Sequence, residues 1–212
     1  MRSGKEKLRK YCLKKLQNAK KHKGFKNNFL VLNKLDKILQ DMEFKNILLY
    51  LPLKNEVDLR KLFRKLRAKH NLLVPFMQGI SFKVVKYRLP IFRKQFSIYE
   101  PKNSLRIFKE IDIMVVPVVG VDGNLKRIGF GKGMYDRYFG SLEKKPLVIF
   151  VQLDLCCTKF VVSDSYDIQA DIYITPKKII TKRGTYDNRS RDNSRNSRSK
   201  YGRRVFSSKK NQ

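Results

Sequence analysis

Apolar positions along this chain recur with two different periods. In residues 5–20, Leu8, Cys12 and Leu16 repeat every four residues among lysines, which predicts an amphipathic helix. Helical spacing returns in 29–39 and again in 57–70, where Leu62, Phe63 and Leu66 share one face and Arg and Lys the other. Between and beyond these lie short, nearly continuous apolar runs at 46–51 (NILLYL), 72–77, 81–87, 111–119, 147–153 and 171–175. Strands that are apolar at almost every position are buried on both faces. A further helix is predicted at 134–142. Helices alternating with such strands predict a three-layer α/β/α fold around a largely parallel sheet, in a single domain with no internal repeat.

Charge changes this picture at one end. The chain has 212 residues, 42% hydrophobic, which suffices for one core. Against 18 Asp+Glu it carries 49 Lys+Arg, a net charge of +31. Residues 182–212 hold eleven basic and two acidic residues among Ser and Asn, with almost no aliphatic side chains. Such a segment buries too little apolar surface to offset its ordering entropy, so a disordered basic tail is expected there, after an α/β domain at 1–181. The domain itself keeps +22. A surface of that charge attracts polyanions such as nucleic acid or a nucleotide, although a lysine-biased composition with solvated faces gives the same number.

Three cysteines, two of them the adjacent Cys156 and Cys157, form neither a metal-ligand spacing nor a disulfide framework, which predicts a reducing compartment. No apolar run approaches the ~20 residues of a membrane span, and charges stand where a signal peptide has an apolar region. A cytoplasmic protein is expected.

Chemistry concentrates in Gly129-Phe130-Gly131-Lys132-Gly133-Met134-Tyr135-Asp136-Arg137. The glycines fall between an apolar strand and a helix, where backbone N–H groups, a helix N-terminus and Lys132 converge on an anion. Asp136, in the first helical turn, could hold magnesium against the same phosphates. The stretch matches neither the dinucleotide fingerprint nor the Walker A pattern. By itself it is equally a glycine-rich turn with a solvated lysine.

With Arg127 and Ile128 before it, the stretch becomes RIGFGKGMYDR, which resembles the RLGxGxGYYDR signature of the 5-formyltetrahydrofolate cyclo-ligase family. Met134 stands where the first tyrosine is usual, which removes an aromatic face and no charge. Four more segments resemble that family in the same order. Lys5-Glu6-Lys7-Leu8-Arg9 is similar to its K-x-x-L-R helix, 51–57 (LPLKNEV) to its folate-contacting segment, 96–101 (FSIYEP) to its I-x-E-P turn and 167–175 (DIQADIYIT) to its closing D-x-x-x-D strand.

The resemblance implies ATP- and magnesium-dependent conversion of 5-formyltetrahydrofolate to 5,10-methenyltetrahydrofolate, through a phosphorylated formyl group, by a monomer. Phosphoryl transfer needs positioning and charge rather than a protein nucleophile, so His22 and His70 are expected to be solvated. Carried over residue by residue, the resemblance assigns ATP to Lys5, Arg9, Arg127, Gly129, Gly131, Lys132, Gly133, Met134 and Tyr135, with Lys132 and Arg127 as the catalytic charges. It assigns the folate to Leu51, Glu56, Phe96, Phe130 and Tyr135, and magnesium to Asp136 and Asp167. Asp171 is a lesser metal candidate, because an aspartate that opens a strand is often a turn residue. Phe96 either stacks on the pterin or belongs to the core. The basic surface suits a polyglutamylated folate, and the tail suits nonspecific contact with RNA. A sugar-phosphate isomerase or transferase on the same architecture, and a nucleic-acid-binding domain, are the alternatives; neither explains all five segments.

Overall fold

The structure, a computed structural model, describes residues 4–93, 99–102, 108, 110–182 and 184–186. Helix α1 (Gly4–Gln40) opens it and runs unbroken through 37 residues, so the two helices expected at 5–20 and 29–39 are one. The intervening residues lack an apolar stripe, but they contain no proline, and a single Gly24 costs a helix only about 1 kcal/mol. Tertiary contacts carry the helix across: Asn27 Nδ2 donates to the Leu153 carbonyl at 2.8 Å, and Lys34 Nζ to the Thr175 carbonyl at 2.9 Å.

There follow β1 (Asn46–Leu48), α2 (Arg60–Leu66), β2 (Asn71–Gln78), β3 (Ser81–Lys86), β4 (Ile91–Arg93), β5 (Tyr99–Pro101), β6 (Ile113–Pro117), β7 (Gly120–Val121), β8 (Arg127–Ile128), α3 (Met134–Ser141), β9 (Leu147–Val151), β10 (Ile172–Ile174), β11 (Ile179–Thr181) and β12 (Gly184–Tyr186). The main sheet has the order β12-β11-β10-β9-β6-β1-β2-β3. Its centre, β10 to β2, is parallel, and β3, β11 and β12 add antiparallel edges. Alternate residues of the buried strands go to opposite faces. Ile47, Ile113, Val115 and Ile149 pack with α1 and α2, while Leu48, Met114, Val116 and Phe150 pack with Tyr138 of α3. The expected three-layer, largely parallel α/β fold is the one observed.

Several boundaries differ. Helix α2 is shorter than 57–70: Asp58 Oδ1 accepts the Arg60 N–H at 3.0 Å in a turn ahead of it, and residues 67–69 form a turn after it. His70, expected to be solvated, stacks on Phe44 at 4.0 Å with its Nδ1 2.9 Å from the Phe44 carbonyl. Gly184–Tyr186, within the segment expected to be disordered, pairs with β11 as an edge strand. Edge pairing uses backbone groups and needs no apolar composition. Residues 187–212 lie outside the described residues, as does Phe96. Among the described residues, no helix is long and apolar enough to cross a membrane.

The cysteine expectation is overturned. Cys12 of α1 and Cys156, 144 positions apart, form a buried disulfide with a Cα–Cα distance of 5.8 Å, and Cys157 is exposed and free. No local spacing announces a pair so distant in sequence. The fit also requires a glycine opposite: a Cβ on Gly120 would lie 2.8 Å from the Cys12 sulfur. With this bond present the cysteines no longer argue for a reducing compartment. Titration of native protein should find one thiol and reduced protein three, and reduction should lower unfolding stability by roughly 2–5 kcal/mol through loop-closure entropy. Three thiols in unreduced protein would contradict the pairing.

Candidate active site

The parallel strands all end on one edge of the sheet, and the direction of winding reverses between β1 and β6. From β1 the chain proceeds to β2 on one side; from β6 it proceeds to β9 on the other. Such a reversal leaves a crevice beyond the strand ends, the usual ligand position in an open α/β sheet. A cavity of about 270 Å³ lies there. Tyr50 and Leu51 enter it from beyond β1, Met77 and Phe82 from the β2–β3 hairpin, and Pro117 from the end of β6. Phe130, Lys132, Gly133, Met134 and Tyr135 close it from the glycine loop and the start of α3.

The loop is held by close contacts. It follows β8 of a separate β7–β8 hairpin, rather than the buried strand β6 directly as expected. Arg127, 5% exposed, extends under the loop: its guanidinium is 3.1 Å from Asp136, 3.4 Å from the Pro117 carbonyl and 5.0 Å from the centre of the Tyr135 ring. Gly129 makes room for it, since a Cβ there would come within 2.3 Å of an Arg127 nitrogen. Gly131 and Gly133 have φ of 100° and 63°, values that side chains disfavour, and they turn the chain into α3. Arg9 on α1 donates from Nε to the Gly129 carbonyl at 2.9 Å. Arg137, to which the sequence alone gives no role, donates from Nε to the Ile80 carbonyl at 2.8 Å and hydrogen-bonds the Lys132 carbonyl, tying the loop to the β2–β3 hairpin.

The carboxylates are anchored beside this loop. Asp167 accepts from Lys5 of α1 and, at 2.7 Å, from the Asp164 N–H. Asp164 also accepts from Lys5 at 2.7 Å, so burial disfavours the Lys5 charge but the two carboxylates raise its pKa above the ordinary lysine value. Asp136 accepts from the Ile168 N–H at 3.2 Å, which sets it beside Asp167. Asp171 belongs elsewhere: it precedes β10, at the opposite end of the strands, and accepts the Val148 N–H at 2.9 Å.

Glu56 is the one carboxylate among the described residues lining the cavity. The turn after β1 buries it, with Oε2 accepting the Leu53 N–H at 2.8 Å. Burial pushes its pKa up to about 7, against the opposing effects of the Leu53 N–H and the Arg127 charge. Burial likewise raises the pKa of Tyr50 and Tyr135 on either side.

Of the residues singled out from sequence, Leu51, Glu56, Arg127, Phe130, Lys132, Gly133, Met134 and Tyr135 therefore share one cavity. Lys5, Arg9, Gly129, Gly131, Asp136 and Asp167 adjoin it through Arg127 and α1. Missed were Tyr50, Met77, Phe82 and Pro117, whose apolar neighbourhoods give no signal that separates a cavity wall from a core, and Arg137 and Asp164, whose partners are known only from the fold.

Fold and site define an α/β protein with a glycine-rich basic loop beside an apolar cavity. The family model for the 5-formyltetrahydrofolate cyclo-ligase family matches residues 1–176. The chain belongs to that family. A Mycoplasma genitalium protein named 5-formyltetrahydrofolate cyclo-ligase is 31% identical over 132 residues, covering 61% of this chain and 72% of its own. A Haemophilus influenzae protein of the same name is 26% identical over 120 residues, covering 52% and 64%. The NMR structure of Aquifex aeolicus 5,10-methenyltetrahydrofolate synthetase superposes with a TM-score of 0.70 at 26% identity, over 89% of this chain and 99% of the other.

Proposed function

We propose that this protein converts 5-formyltetrahydrofolate to 5,10-methenyltetrahydrofolate with hydrolysis of ATP, as a monomer. One observation carries the reading: the glycine loop with Lys132 and Arg127 opens onto the same cavity as Leu51 and Glu56, so a triphosphate on the loop and a folate in the cavity meet. At about 270 Å³ the cavity lies just below the usual range of ligand sites, roughly 300–1,000 Å³. It suits the pterin end of the folate and leaves a glutamate chain, single or extended, to the basic surface.

The formyl oxygen attacks the γ-phosphorus and ADP departs. N10 then bonds to the formyl carbon, and phosphate leaves with the former formyl oxygen. Lys132 and Arg127 offset charge on the transferring group, Arg9 extends the positive rim from α1, and Lys5 holds the Asp167 and Asp164 carboxylates in place. Tyr135, Phe130 and Leu51 exclude water around the pterin. Asp136 and Asp167 suit magnesium: Asp167 is buried and Asp136 half-buried, the two carboxylates are linked through the Ile168 N–H beside the glycine loop, and magnesium takes one or two carboxylates with phosphate and water completing its shell. Bound there, the ion would neutralise phosphate charge. Among the described residues no larger cluster of metal-ligating side chains exists. Incubation with 5-formyltetrahydrofolate, ATP and magnesium tests the reading by the absorbance of the methenyl product. Omitting ATP or magnesium should abolish product, and conversion without ATP would refute it.

The basic tail is a separate polyanion contact. The edge strand β12 places the cut after Tyr186, so that the sheet stays whole. Truncation there should leave turnover within about twofold. If the tail neutralises about six phosphates on a duplex, log affinity falls with log salt at a slope of about −5, and truncation should flatten it. Equal slopes for both proteins would assign the binding to the folded domain.

A further inference from the structure

We propose that the Glu56 carboxylate accepts the proton that N10 of the folate loses as the ring closes, an inference that rests on the cyclo-ligase reading. Ring closure fixes the proton count. The N10 lone pair forms the bond to the formyl carbon, the carbon–oxygen bond breaks, and phosphate leaves with that electron pair. N10 begins with one hydrogen and ends with none, so one proton must go to an acceptor in each turnover.

The cavity wall offers few acceptors. Its titratable residues, among those described, are Tyr50, Glu56, Arg127, Lys132 and Tyr135. Arg127 and Lys132, as cations, have no free electron pair. Tyr50 donates its hydroxyl to the Val57 carbonyl at 2.8 Å, and burial holds both phenols in the protonated form. Glu56 remains. The Leu53 N–H fixes Oε2 at 2.8 Å, which orients the carboxylate and leaves Oε1 as its basic atom. Its proton affinity suits that role, because burial raises the pKa to about 7 and the facing charge of Arg127 keeps it from rising further. A base titrating close to the working pH takes a proton readily and returns it to solvent between turnovers.

The test is the pH dependence of kcat and KM for 5-formyltetrahydrofolate in wild type and E56Q, from about pH 5.5 to 8.5 with saturating ATP and magnesium. Wild-type kcat should rise through about pH 7, as the carboxyl ionises. In E56Q, kcat should fall by about 10²-fold or more, the scale of a general base, with the acidic limb gone and KM within about threefold. E56D should retain a limb with a displaced midpoint. A raised KM with unchanged kcat would make Glu56 a binding residue alone. A limb that persists in E56Q would place the titration elsewhere, including on the departing phosphate, and either result overturns the proposal. If E56Q does not fold, a wild-type kcat independent of pH overturns it equally. Wild type that forms no methenyl product refutes the cyclo-ligase reading itself, a failure distinct from these.

Discussion

Lys132→Ala is expected to lower turnover by roughly 10²-fold or more, the scale of losing one preorganised charge at a developing oxyanion. Lys132 is an exposed loop residue that reaches the cavity wall between Gly131 and Gly133, so its alkyl stem contributes little to the core. The unfolding midpoint should therefore stay within a degree or two of wild type, a shift of well under about 1 kcal/mol. Turnover and thermal unfolding measured on the same preparation separate the two effects. Near-wild-type turnover would mean that the loop cradles no reacting phosphate.

Arg127→Ala should combine both effects. Its side chain and that of Asp136 are 5% and 9% exposed, and removing the guanidinium strands a buried carboxylate, a loss of about 3–5 kcal/mol for such pairs. It also opens the space under Gly129 and removes the cation beneath the Tyr135 ring. Turnover should drop by at least as much as in Lys132→Ala. Arg127→Lys should recover part of the stability and little of the activity, because an ammonium cannot span Asp136 and the Pro117 carbonyl as the planar fork does. The urea midpoint at neutral pH is the readout. An unchanged midpoint in Arg127→Ala would contradict the ion pair.

The sequence exposed the central strands because burial on both faces makes them apolar throughout; 111–119 and 147–153 contain β6 and β9. It was less informative where structure depends on partners far along the chain. Nothing near residue 24 shows that α1 continues, since what carries it there is the Asn27 contact with Leu153. The Cys12–Cys156 bond and the edge pairing of β12 have no local signal either. At the site, charged and glycine residues stood out because their chemistry is unusual in an apolar setting. The Met77 and Phe82 wall did not, since an apolar residue on a strand reads the same whether it faces a core or a cavity. Glu56 could be found from sequence only through family resemblance. Its raised pKa is a property of burial that sequence does not carry.

ATP held on the glycine loop beside the cavity is expected to phosphorylate the folate's formyl oxygen. The measurement closest to that step uses 5-formyltetrahydrofolate labelled with heavy oxygen in the formyl group, with ATP and magnesium, and mass analysis of the inorganic phosphate released. One labelled oxygen is expected in each phosphate, appearing in step with the methenyl product. Methenyl product accompanied by unlabelled phosphate would show that the oxygen left as water, and would contradict phosphorylation of the formyl oxygen.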